Sequence, residues 1–260
     1  LGPDGVLATP TELYAGDGNG TVKVFDLRSY RLVATIKTGG KKRADEMAYD
    51  AKDHLLLVTN PSETIPFVSF IDTRTHHLVG RLMFPNAPQG LEQPAWDSAT
   101  DTFYLSIPQA IVPAARPGTA LDPSGVVASF HYSASATISP QITYMKIPGC
   151  TPAGLALDTQ AHVLAVGCAT GEQALLSTTG TILARVPVPG ADMVASDPRS
   201  RHFFFAADGC LAVVDRTGHV LQRIPTVPGS HAVAVDPDTG HIFVPESGLG
   251  IIVYAQRTPA

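Results

Sequence analysis

Apolar residues run along this chain in short stretches of alternating or continuous character, each stopped within a few positions by Gly, Pro, Asp or Asn. That punctuation predicts strands joined by turns. Six segments share one plan: residues 5–9, 46–50, 93–97, 154–158, 193–197 and 232–236 are each an apolar strand that closes on Asp, with Thr9 in the Asp place of the first. After each comes a turn and a second strand, over 13–15, 55–59, 103–106, 163–167, 203–206 and 242–244. Turn chemistry such as Asp236, Pro237, Asp238, Thr239 and Gly240 makes these pairs hairpins. A third strand follows, as at 21–26, 67–72 and 211–215, and a fourth closes the unit, as at 32–36, 78–82, 182–186 and 220–224.

Counted from Asp4 through Asp45, Glu92, Ala153 and Asp192 to His231, the unit recurs after 41, 47, 61, 39 and 39 residues. Four strands in about 40 residues is the plan of a β-propeller blade. The predicted fold is all-β: one propeller domain over 1–260, with six four-stranded blades starting near 4, 45, 92, 153, 192 and 231. The long third step is assigned to an insertion at 107–125, rich in Pro and small residues, that forms a lid or rim. The last unit has room for three strands, so either a fourth strand lies upstream of residue 1 or the closure is open, and a whole seventh blade upstream also fits.

Composition supports this picture and narrows the partners. With 44% hydrophobic and 16% charged residues the chain has a large core, and 23 Gly with 22 Pro fit many turns. A net charge of −5, with Lys41, Lys42 and Arg43 the one basic cluster, gives no footprint for nucleic acid. No stretch approaches the roughly 20 apolar residues of a membrane helix. No signal-peptide pattern opens the chain, so an exported protein would have had its signal removed.

Leu57, Val58, Thr59 and Asn60 followed by Phe70, Ile71 and Asp72, together with the turn from Asp236 to His241, resemble the YVTN-type β-propeller repeat proteins. That resemblance implies the propeller fold and leaves the chemistry open, because the family includes lactonase-like enzymes and binding proteins. The blade count and acidic blade starts are similar to the gluconolactonase and senescence-marker propellers, whose metal sites set an amide beside a carboxylate. This singles out Asn60.

Of the three Cys, Cys150 and Cys168 fall opposite each other on one hairpin and are assigned a disulfide, which implies an oxidising compartment, secreted or periplasmic. Cys210 is left as a small free residue. Of nine His, four (His54, His162, His202, His241) follow the first hairpin turn and three (His76, His77, His219) the later one. His131 has no evident partner, and only His231 stands at a blade start.

In a propeller the blade starts meet at the mouth of the central channel. Asp4, Asp45, Glu92, Asp192 and His231, with Glu46 and Gln93 one residue on, are the predicted ring, and Asp17, Asn60, Asp208 and Glu246 a second ring around it. Bare carboxylates gathered at one mouth repel each other, and a divalent cation relieves that. The expected metal ligands are Asp4, Asp45, Glu92, Asp192, His231 and Asn60, for calcium, manganese or zinc. Glu46 and His231 are the candidates for proton transfer. Lys41, Lys42 and Arg43 border this mouth and either balance its charge or orient an anionic substrate. Three functions fit: metal-dependent hydrolysis of a small-molecule lactone or ester, a lyase or isomerase on the same site, or a non-catalytic exported binding propeller. Oligomeric state is not legible in the sequence.

Overall fold

The computed structural model describes residues 2–112, 122–133 and 140–255, and among them there are strands and turns but no helix. Sheet 1 is β1 (Pro3–Ala8), β2 (Glu12–Asp17), β3 (Thr21–Asp26) and β4 (Leu32–Lys37). Sheet 2 is β5 (Met47–Asp50), β6 (Leu55–Asn60), β7 (Phe67–Asp72) and β8 (His77–Met83). Sheet 3 is β9 (Pro94–Asp97), β10 (Thr102–Val112), β11 (Asp122–Phe130) and β12 (Thr143–Lys146). Sheet 4 is β13 (Pro152–Asp158), β14 (Val163–Cys168), β15 (Gln173–Ser177) and β16 (Ile182–Val186). Sheet 5 is β17 (Ala191–Asp197), β18 (His202–Ala207), β19 (Cys210–Asp215) and β20 (Val220–Pro225). Sheet 6 is β21 (Ala234–Val235), β22 (His241–Glu246) and β23 (Gly250–Ala255), the one three-stranded sheet described. Neighbouring strands pair in sequence order within each sheet, so every sheet is a propeller blade and the fold is an all-β, six-bladed β-propeller.

The turns explain why the apolar strands end on Asp. Asp50, Asp97, Asp158, Asp197 and Asp236 each accept backbone N–H bonds from residues two or three further on, as Asp97 does from Ala99 at 2.9 Å. The side chain thereby replaces backbone partners that a tight turn leaves unmade. Four residues past each Asp the chain turns left-handed, at His54, Asp101, His162, Arg201 and Gly240 with φ of 56°, 52°, 55°, 60° and 72°. The turn between third and fourth strands repeats the device at Asp26, Asp72 and Asp215. His54, His76 and His162 are thus turn residues in left-handed backbone, consistent with their place in the repeat.

By internal packing the chain divides into two units, Leu1–Tyr144 and Met145–Ala260. In the first, sheets 1 and 2 bury Tyr14, Val22, Val24, Leu56, Val58 and Ile71 between them. Sheets 2 and 3 bury Leu57, Phe70, Phe103, Leu105 and Phe130, and Tyr132 stacks on Phe70 with centroids 3.4 Å apart. Its hydroxyl lies where a side chain at residue 80 would be, which accounts for Gly80. In the second unit Leu175, Phe203, Phe205 and Val214 fill the space between sheets 4 and 5, and Phe204, Leu211, Ile242 and Val244 that between 5 and 6. Each fully buried Phe or Leu of this kind contributes on the order of 2 kcal/mol.

The disulfide is present: Cys150 and Cys168 are joined with Cα atoms 5.2 Å apart, and Cys210 is free. Two expectations are corrected. The insertion does not leave the sheet at residue 107, because β10 and β11 continue past a bulge to pair Ala110 with Ser124 and Val112 with Asp122. The reason is packing: Ile107, Ala110 and Val112 are buried in the core of sheets 2 and 3. The remainder of the expected lid, 113–121, lies outside the described residues. His131 has a partner after all, a backbone one: its Nδ1 meets the Asp101 carbonyl at 2.7 Å.

Candidate functional site

In sheets 2 and 3 the blade starts are set by one repeated pair of backbone bonds. The Asp45 N–H donates to the Thr59 carbonyl and the Thr59 N–H to the Glu46 carbonyl, both at 2.9 Å. Glu92 and Gln93 make the same two bonds with Ser106, at 2.9 and 3.1 Å. Glu92 and Gln93 therefore occupy in blade 3 the places of Asp45 and Glu46 in blade 2.

Between Asp4 and Asp45 stands Arg43. Its Nη2 is 3.0 Å from Asp45 Oδ2 and its Nη1 3.8 Å from Asp4 Oδ1. The Asp45 side chain is 8% exposed, so its charge is removed from water and needs a partner nearby. Glycine lets the strands come this close, since a Cβ at Gly5 would overlap the backbone of Asp45. Glu63, outside the sequence reading, shapes the basic loop: its Oε1 accepts the N–H groups of Lys41 and Lys42 at 2.6 and 2.7 Å. Those contacts hold the Glu63 carboxyl below its usual range against the opposing effect of burial. The two lysine side chains are exposed.

Asn60 is fully buried and its amide is engaged at both ends. Oδ1 accepts from Thr38 Oγ1 at 2.6 Å, and Nδ2 donates to Ser69 Oγ at 2.9 Å and to the Val58 carbonyl. In this structure Asn60 ties the loop after β4 to β6 and β7. The other residues expected in a second ring also have partners: Asp17 pairs with Lys23 at 2.7 Å, Asp208 accepts the Gly229 N–H, and Glu246 accepts the Val227 N–H. The Lys23 ammonium holds the Asp17 carboxyl below the usual range.

In the second unit Asp192 and His231 come together. His231 Nδ1 is 2.8 Å from Asp192 Oδ2, and the Met193 N–H donates to the His231 carbonyl. A carboxylate on Nδ1 favours the tautomer that leaves Nε2 as a proton acceptor. Both side chains are largely open to solvent, at 68% and 49% exposed. Ala153 holds the equivalent place in blade 4 and is buried. Cys210 is a poor nucleophile, because burial raises its thiol pKa.

Among the described residues no three His, Cys, Asp or Glu side chains are grouped as ligands of one metal ion. Nor does any described helix have the length and apolarity to cross a membrane. Sequence reasoning missed Glu63 and Gln173. The latter was legible as an amide in a place where Val22 and Val68 are core; it is fully buried and grips both the N–H and the carbonyl of Cys168.

No family model and no curated protein sequence matches the chain. Solved structures do match. A chain of the mitotic checkpoint complex aligns with a TM-score of 0.74 and 17% identity, over 95% of this chain and 74% of that one. Hydrazine synthase of Kuenenia stuttgartiensis aligns with a TM-score of 0.66 and 14% identity, over 86% and 71%. At such identities the likeness shows the fold alone.

Proposed function

We propose that this chain is a non-catalytic binding propeller of an oxidising, secreted or periplasmic compartment, and that its blade-start loops form the docking face. The observation that carries this reading is Arg43. Its guanidinium supplies the positive charge that Asp4 and Asp45 would otherwise require from a bound cation. The exposed lysines of the loop that Glu63 orders give the same face a basic rim suited to an acidic segment of a partner. The disulfide supports the compartment. The resemblance to the YVTN-type propellers, carried by residues 57–60, 70–72 and 236–244, is compatible with a binding role.

A second reading is favoured by one observation, the Asp192–His231 pair. In it the chain hydrolyses a small-molecule lactone or ester, or acts on it as a lyase or isomerase. His231 Nε2 would take the proton with Asp192 holding its tautomer, and calcium, manganese or zinc would be the metal added. A panel of lactones and aryl esters, assayed with each metal added in turn, separates the two. The binding reading predicts no turnover above buffer that His231→Ala abolishes. Turnover lost in His231→Ala and retained in His241→Ala would replace it with the hydrolase.

A further inference from the structure

Arginines at one place in the repeat are engaged differently. β7 pairs Ser69 with Arg81, β15 pairs Ala174 with Arg185 and β19 pairs Ala212 with Arg223. Ser69, Ala174 and Ala212 each stand three residues before the last residue of their strand, so the three arginines are equivalent. In sheets 4 and 5 the guanidinium is spent on the loop that leads into its own sheet: Arg185 Nη2 donates to the Pro148 carbonyl at 2.6 Å and Arg223 Nη2 to the Pro187 carbonyl at 2.8 Å. In sheet 2 the corresponding loop is within reach, since a Cβ at Gly39 would lie 2.9 Å from Arg81 Nη1. Yet the Arg81 guanidinium makes no hydrogen bond and no ion pair among the described residues. The difference that releases it is Ser69 in the place of Ala174 and Ala212. The Ser69 hydroxyl donates to the Thr38 carbonyl at 2.9 Å and so ties down the loop from the inner strand.

The surroundings of Arg81 suit an acidic ligand. Its guanidinium lies over the Phe67 ring, 5.5 Å from the centroid, which steadies the group without using an N–H. Lys41 and Lys42 follow Gly39 in the same loop, both are exposed, and among the described residues neither is in an ion pair. Glu63 is turned to their backbone N–H groups instead. Met83 stands two residues beyond Arg81 on β8, so it shares Arg81's face of the strand, and it is 43% exposed. An arginine with its donors open, two lysines and an apolar side chain alongside match an acidic side chain that has an apolar neighbour.

We propose that Arg81 sets the specificity of this face: it takes the carboxylate of an Asp or Glu side chain of a partner polypeptide through two parallel N–H···O bonds, with an apolar partner side chain set against Met83. Lys41 and Lys42 add attraction without direction, because an ammonium is a point charge and a guanidinium is a fork. The inference rests on the binding role proposed above and names the residue that selects the partner.

The probe is a fluorescein-labelled synthetic peptide, Gly-Glu-Ser-Leu-Ser-Glu-Gly, which when extended sets Glu, Leu and Glu on one face. Its counterpart with Gln for both Glu is the control, and fluorescence anisotropy with the 260-residue chain is the assay. Saturable binding is expected with the Glu peptide and not with the Gln peptide. Arg81→Lys, which keeps the charge and removes the fork, should weaken it about tenfold. Lys41→Gln combined with Lys42→Gln should weaken it as well, and Arg223→Gln should leave it unchanged. The Arg81 guanidinium ties down no other group, so Arg81→Lys should fold, which circular dichroism checks. Equal affinity of wild type and Arg81→Lys, with binding still lost in the double lysine substitution, would overturn the role of Arg81 and leave the basic docking face standing. No saturable binding to the wild type, or equal binding of the Glu and Gln peptides, would overturn both.

Discussion

The Cys150–Cys168 bond closes a loop of 18 residues in sequence separation, and in the chain-entropy account a loop of that length constrains the unfolded chain by roughly 3 kcal/mol. Its removal should leave the native hairpin in place. β13 and β14 pair through Pro152 and Cys168, and Gln173 holds the Cys168 backbone from the next strand. The perturbation is Cys150→Ala with Cys168→Ala, compared with wild type under dithiothreitol, which separates the bond from the packing of the substituted residues. Urea unfolding followed by circular dichroism is the assay. With a slope of about 3 kcal/mol per molar urea, the midpoint should fall by about 1 M in both samples. A fall below about 0.2 M in both would refute the reasoning and show that the bond adds nothing to the hairpin. Thiol titration of the unfolded, unreduced chain should find one reactive sulfhydryl, that of Cys210.

Asp97 is fully buried and accepts from the Ala99 N–H and the Thr100 hydroxyl, so Asp97→Ala should cost about 2 kcal/mol in urea unfolding and Asp97→Asn less than half of that. His162 has φ of 55°, where a β-branched side chain clashes, so His162→Val should destabilise by about 1 kcal/mol or more and His162→Gly should be near neutral. The Arg74 guanidinium, bonded through two nitrogens, holds the Asp72 carboxyl down at about 2. Because the folded value is depressed, this contribution is complete above the ordinary carboxylate range near pH 4 and is lost as pH falls towards 2. In Arg74→Gln, NMR titration of Asp72 should return towards the ordinary value and the acid limb of stability should flatten there.

The repeat was legible because its signals are local. An apolar strand, an Asp that caps the next turn, and a left-handed residue four positions on all lie within one short window, and the Cys pair sits on a single hairpin. What escaped depends on partners distant in sequence or on backbone groups, which no side-chain pattern announces. Asn60 is an amide beside a carboxylate ring in sequence, yet Thr38 lies 22 residues away and takes its oxygen. His131 meets a carbonyl. The extended β10–β11 arm was hidden because Pro108 and Pro123 read as loop residues, while burial of Ile107, Ala110 and Val112 favours continued strand pairing past a bulge. In sequence Asp4 and Asp45 read as bare carboxylates, whereas Arg43 stands between them.

The central proposal is that Arg43, and not a metal ion, balances the blade-start carboxylates Asp4 and Asp45. Isothermal titration of calcium, manganese and zinc into the wild-type chain tests it most directly, with Glu92→Gln and Asp192→Asn as companions. The account predicts no saturable heat below millimolar metal for any of the three proteins. One tightly bound cation per chain in the wild type, lost in both substitutions, would contradict it.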